Sequence, residues 1–101
     1  MKKSYGIIGN PVEHSLSPLL HNYWLKKHDI DAIYSILKIE DDGLSDVVKR
    51  LKEGTLNGVN VTLPYKQKII NHLDLIINDA KLTGSVNTLF LENNTVVGEN
   101  T

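Results

Sequence analysis

Asn60-Val61-Thr62-Leu63-Pro64-Tyr65-Lys66 is the stretch from which the rest of the chain can be read. With Gly58 and Val59 in front of it, it begins as a short β-branched run bounded by Gly58 and Pro64, which reads as a strand. Side chains alternate along a strand, so Val59 and Val61 point one way and Asn60 and Thr62 the other. Two neutral hydrogen-bonding groups thus stand at the carboxyl end of a strand, where open α/β sheets bind ligands. Pro64 stops the strand and suits the first turn of a helix. Lys66 then falls near a helix start, where the positive end of the dipole disfavours an ammonium and makes the lysine a candidate proton donor or acceptor. Spacing alone also fits a plain strand followed by an exposed lysine.

Outward from this point the chain alternates strands and helices. Tyr5 to Gly9 reads as a buried first strand. Gly6 and Gly9 do not make a dinucleotide fingerprint, because Pro11 intervenes and the third glycine is missing. Ser17-Pro18 offers an N-cap and a first-turn proline for a helix running to about His28. Leu20 and Trp24 share one face of it, which places Trp24 in the core. Ala32 to Lys38 reads as the second strand. Asp41 and Asp42 open a second helix with Leu44, Val47, Val48 and Leu51 at helical spacing. Lys49, Arg50 and Lys52 suit its negative end, and Gly54 closes it. After Pro64, helical segments are expected at Tyr65 to Leu73 and Leu75 to Leu82, ending at Gly84. Val86 to Leu91 and Thr95 to Gly98 read as strands joined through Asn93-Asn94, since Asn tolerates the left-handed angles of a tight hairpin. Strand-helix-strand repeats pair in parallel through right-handed crossovers. The expected fold is α/β: a mixed, mainly parallel open sheet with helices on both faces and a C-terminal β-hairpin.

The 101 residues suit one domain with a modest core. A net charge of −1 with interspersed signs argues against nucleic-acid or polybasic membrane binding. With no cysteine there is no disulfide framework and no thiolate chemistry. The apolar run after Lys2 and Lys3 is too short for a signal peptide or a membrane span, so the cytoplasm is the expected compartment. Oligomeric state is not legible.

Three groups of residues could carry chemistry. Ser15 and Ser17 lie two apart in an extended loop beside a helix N-terminus, a geometry suited to a carboxylate. Equally, Ser17 could only cap the helix while Ser15 is solvated. Asn60, Thr62 and Asn87 could reach one edge of the sheet, and amides and hydroxyls both donate and accept, as ring hydroxyls require. Alternatively, the asparagines satisfy loop backbone. Lys66 is the third. His14, His21, His28 and His72 lack metal-site spacing, so no metal is expected.

Gly9-Asn10-Pro11-Val12-Glu13-His14-Ser15-Leu16-Ser17-Pro18-Leu19-Leu20-His21-Asn22, the opening stretch, Ser85-Val86-Asn87-Thr88 and Gly98-Glu99-Asn100-Thr101 together span nearly the whole chain. In order and spacing they closely resemble the N-terminal, substrate-binding half of shikimate dehydrogenases. The resemblance implies the aminoacid dehydrogenase-like N-terminal fold over residues 1–101. It implies an oxidoreductase that reduces 3-dehydroshikimate to shikimate with NADPH in chorismate and aromatic amino-acid biosynthesis. It implies that Ser15 and Ser17 hold the substrate carboxylate, that Asn60, Thr62 and Asn87 contact ring hydroxyls, and that Lys66 is both catalytic and substrate-binding. It gives His21 and Asn22 a place in the family's helix signature, with a packing or backbone-bonding role. The family pairs its lysine with an aspartate directly after Asn-Thr, and the chain ends at Thr101. The expectation is therefore a substrate-binding domain without its cofactor domain. Such a chain would bind shikimate weakly, bind no NADP(H) itself and turn nothing over. The alternatives are a quinate/shikimate dehydrogenase of broader specificity and a non-catalytic module that binds a cyclic hydroxy acid.

Overall fold

Period-two alternation and a few turn residues settle the architecture. The structure is a computed structural model and describes residues 3–9 and 17–100. Its strands are β1 (Lys3–Ile8), β2 (Ala32–Leu37), β3 (Gly58–Val61), β4 (Leu75–Ile77), β5 (Thr88–Glu92) and β6 (Thr95–Glu99). Its helices are α1 (Ser17–Lys27), α2 (Leu44–Glu53), α3 (Tyr65–Lys68) and α4 (Asp79–Thr83). The strands form one sheet in the order β2-β1-β3-β5-β6-β4. β2, β1 and β3 pair in parallel, β5 runs antiparallel to both β3 and β6, and β4 is parallel to β6. Five strands therefore share one direction and β5 alone opposes them. This is the expected mixed, mainly parallel sheet, with α1 and α2 on opposite faces.

The main core lies under α2. Leu44, Val47, Val48 and Leu51 are all buried against Ile8, Val59, Val61, Leu89 and Val96 of the sheet. Each such side chain contributes about 2 kcal/mol of apolar burial, offset by the entropy of ordering it. Gly54 closes α2 at φ 83°, where a side chain would be strained. Asn93 and Asn94, at φ 51° and 62°, make the left-handed turn between β5 and β6. Gly98 in β6 permits a close approach: a Cβ there would lie 2.5 Å from Leu73 and 3.0 Å from Val86.

Two sequence expectations fail. The first concerns residues 65–82. The segment from Tyr65 to Leu73 is helical as expected, one α-helical turn, α3, followed by a 3₁₀ turn at Ile69–His72. The segment from Leu75 to Leu82 is not one helix but β4 followed by α4. Leu75-Ile76-Ile77 is an apolar, β-branched run that docks on the free edge of β6, and Asn78 at φ 54° breaks any helix through it. Just before β4, Asp74 Oδ2 accepts from the Val96 N–H at 2.9 Å. That bond, with Lys52 Nζ at 3.3 Å, holds the Asp74 carboxyl below its usual range.

The second concerns α1. Trp24 is 46% exposed, and Leu19, Leu20 and Tyr23 are exposed with it. The helix turns Asn22 and Leu25 to the sheet instead, and the small core beneath holds Ile7, Tyr34, Tyr5, Ile36 and Leu25. Trp24 lies on the flank, stacked on His28 with Lys27 Nζ 5.0 Å from its ring centre.

Candidate functional site

β1 and β3 are neighbours in register, Ile8 opposite Val61, so the chain leaves both strands at the same edge of the sheet. One exit leads through residues 10–16 to α1, and the other through Thr62 to α3. The ladder continues one residue further, with the Thr62 N–H donating to the Ile8 carbonyl at 2.9 Å. The Leu63–Pro64 peptide is cis, and the Tyr65 N–H donates to the Thr62 carbonyl at 3.0 Å, closing the turn that delivers Lys66. Tyr65 itself is fully buried, its hydroxyl donating to the Ile39 carbonyl at 3.1 Å.

Because β5 runs against β3, its first residues arrive at this same edge. The Asn87 carbonyl accepts from the Val61 N–H at 2.8 Å, and the Asn87 N–H donates to the Glu99 carbonyl at 3.0 Å. The Val86 N–H donates to the Lys66 carbonyl at 2.9 Å, which ties the lysine's turn to the approach to β5. Asn60, Thr62, Lys66 and Asn87 are all half-buried. Asn60 Nδ2 lies 3.5 Å from both the Asn87 carbonyl and Thr88 Oγ1. Asn87 is bonded within the fold: its Oδ1 accepts from the Thr88 hydroxyl at 2.9 Å and its Nδ2 donates to Asn100 Oδ1 at 3.2 Å. Among the described residues no carboxylate lies within ion-pair distance of Lys66.

Four of the six residues singled out in the sequence thus stand around one strand edge. Of the other two, Ser17 begins α1, and Ser15 lies outside the described residues. α3 has only four residues, so the helix-dipole argument for Lys66 loses most of its force.

Tyr34 was missed by the sequence reading. Its hydroxyl reaches across β1 and donates to Asn60 Oδ1 at 2.7 Å. Burial pushes this hydroxyl's pKa up to about 12, so it keeps its proton. Asn22 holds the Tyr34 backbone from α1, accepting its N–H at 2.9 Å and donating to its carbonyl at 2.8 Å. His21 stacks on the Tyr34 ring with centroids 4.3 Å apart. Packing and backbone bonding are the roles expected of this pair. The alternation of Ala32 to Leu37 already turns Tyr34 and Ile36 to one face, but nothing local shows that the ring meets Asn60 two strands away.

A groove of ≈ 400 Å³ runs along the α1 face of the sheet, lined by Trp24, Leu25, Tyr34, Gly58, Asn60 and Phe90 among others. Its walls are mainly apolar, and it extends from Asn60 toward the amino ends of β1 and β3. A polyol acid fits it poorly, so the polar edge beyond Asn60 is the better candidate site. The β1–α1 connection also does not fit a dinucleotide. Seven residues with Pro11 among them part Gly9 from Ser17, where a phosphate cradle needs a tight glycine turn into the helix. Among the described residues no three His, Asp or Glu groups converge as metal ligands, and no helix is long and apolar enough to cross a membrane.

Known proteins share this arrangement. The sequence family described as the shikimate dehydrogenase substrate binding domain matches residues 7–89. A shikimate dehydrogenase (NADP(+)) of Pelagibacter ubique is 41% identical over 101 residues, which is 100% of this chain and 38% of that protein. The Methanococcus aeolicus protein of the same name is 48% identical over 99 residues, 98% of this chain and 36% of that one. A crystal structure of shikimate 5-dehydrogenase from Listeria monocytogenes, in complex with shikimate and NAD, superposes with a TM-score of 0.89 at 35% identity. That match covers 97% of this chain and 34% of the other. The chain therefore spans little more than a third of the length of the relatives it matches. The family match over most of the chain, the identities along its length and the close superposition make it a member of the shikimate dehydrogenase substrate-binding-domain family.

Proposed function

We propose that this chain is the substrate-binding domain of an NADP-dependent, cytoplasmic shikimate dehydrogenase and binds shikimate and 3-dehydroshikimate at the carboxyl edge of β1 and β3. The observation that carries the reading is the parallel register of Ile8 with Val61, which puts the carboxyl ends of β1 and β3, and with β3 the turn to Lys66, at one edge. On this reading Ser15 and Ser17 donate to the ligand carboxylate, and Asn60, Thr62 and Asn87 orient the ring through its hydroxyls. Reduction of the ring ketone leaves negative charge on its oxygen. The Lys66 ammonium stabilises that charge and gives the oxygen its proton, and in the reverse direction takes the proton back. The nicotinamide dinucleotide is left to sequence that the longer relatives have beyond this match, and the chain alone binds the acid on one side only.

Titrating shikimate into the isotopically labelled chain tests the reading. Amide shifts confined to residues 15–17, 60–66 and 85–88 support it. Shifts confined to α2, or none at millimolar shikimate, overturn it.

A further inference from the structure

Resting on that reading, we infer that Tyr34 is a positioning residue: through its hydroxyl it fixes the Asn60 side-chain amide so that Nδ2 faces the ligand as a donor. A free asparagine amide can present either its oxygen or its nitrogen to the same place. At Asn60 two contacts remove the choice. The Tyr34 hydroxyl sits 2.7 Å from Oδ1, and the Asn87 carbonyl sits 3.5 Å from Nδ2. Flipping the amide would set its oxygen against that carbonyl, acceptor against acceptor, and would leave the Tyr34 proton without its partner. The two acceptors near Nδ2 are both at 3.5 Å, the long limit for a hydrogen bond, so its N–H groups retain capacity for a closer one. A ring oxygen of the ligand accepts such a bond whether it is hydroxyl or carbonyl. One orientation of Asn60 therefore serves both the alcohol and the ketone.

Tyr34 is well held for this task. The residue is 5% exposed, its ring is stacked on His21, and its backbone N–H and carbonyl are both held by Asn22. Both holding residues lie on α1, which Ser17 begins. The position of α1 and the orientation of Asn60 are thus mechanically joined through one side chain.

Tyr34→Phe keeps the ring, the stack and the packing and removes only the hydroxyl. In the ligand-free chain, the Asn60 side-chain NH₂ signals are expected to move while the amides of Leu51 and Val96 stay. Shikimate affinity is expected to fall about fivefold to tenfold, the worth of one directed hydrogen bond. In an Asn60→Ala background the same change is expected to leave affinity within about twofold, because there is no amide left to orient. Unmoved Asn60 signals in ligand-free Tyr34→Phe overturn the inference alone, and so does an equal loss of affinity with and without Asn60. Absence of shikimate binding by the unaltered chain overturns the proposed function instead, while the ligand-free signals still decide the positioning.

Discussion

Asn22→Ala should loosen α1 from the sheet without unfolding the domain. Asn22 makes two hydrogen bonds to the Tyr34 backbone, at 2.8 and 2.9 Å, on the outer edge of β2. Each bond of this kind contributes about 1 kcal/mol net, so the pair contributes about 2 kcal/mol to docking the helix. Beyond the stack of His21 on the Tyr34 ring, little else replaces it. Leu25 is half-buried, whereas Leu19, Leu20, Tyr23 and Trp24 all face outward. The main core under α2 does not include α1, so the loss is local. The assay is amide hydrogen exchange. The Tyr34 N–H donates to Asn22 Oδ1, so its protection reports the clamp directly. A loss of 2 kcal/mol corresponds to roughly thirtyfold faster exchange at Tyr34, with Leu51, Val59 and Val96 close to unchanged. Unchanged exchange at Tyr34 would refute the clamp. An equal acceleration at all four amides would refute the claim that α1 is a separately docked element.

Three further outcomes are expected. In an enzyme that carries this domain together with its cofactor-binding portion, Lys66→Ala should lower kcat by about a hundredfold or more with little change in KM, as for a group acting mainly in the transition state. A rise in KM with kcat untouched would make Lys66 a binding residue only. Raising the pH should reveal Tyr34: its folded pKa of about 12 lies above the ordinary 10.0, so its stabilising contribution is full below pH 10 and is lost as pH climbs toward 12. The loss is at most about 3 kcal/mol in urea unfolding and should be missing from Tyr34→Phe; equal alkaline losses in both proteins would exclude Tyr34 as the cause. Leu51→Ala, at a fully buried site under α2, should cost about 3 kcal/mol in the same assay, and a cost below about 1 kcal/mol would mean that the core refills the space.

The parts of the fold legible in the sequence are those where one local rule dominates. Leu44, Val47, Val48 and Leu51 leave only a helix as a solution, and all four are buried. Asn93 and Asn94 mark a hairpin because few other residues accept their angles. The alternation through Val59, Asn60 and Val61 gives both the strand and its polar side. Where tertiary contact decides, the reading fails. Leu75-Ile76-Ile77 fits a helix or a strand by itself, and the open edge of β6 selects the strand. The apolar residues of α1 look like a core face, yet the helix is held by Asn22 and leaves Trp24 largely outside. In the candidate site, Asn60, Thr62 and Lys66 share one short stretch and were visible together. Tyr34 was not, because its meeting with Asn60 exists only after β1 is laid between β2 and β3.

The most direct test of the account is a set of nuclear Overhauser contacts from the ring protons of shikimate bound to this chain. Contacts to the Lys66 side chain and to the Ser15–Ser17 segment in one complex are the expected result. Contacts to only one of the two, or to Trp24 and Phe90 in the apolar groove, would show that the two strand exits do not converge on a single small acid.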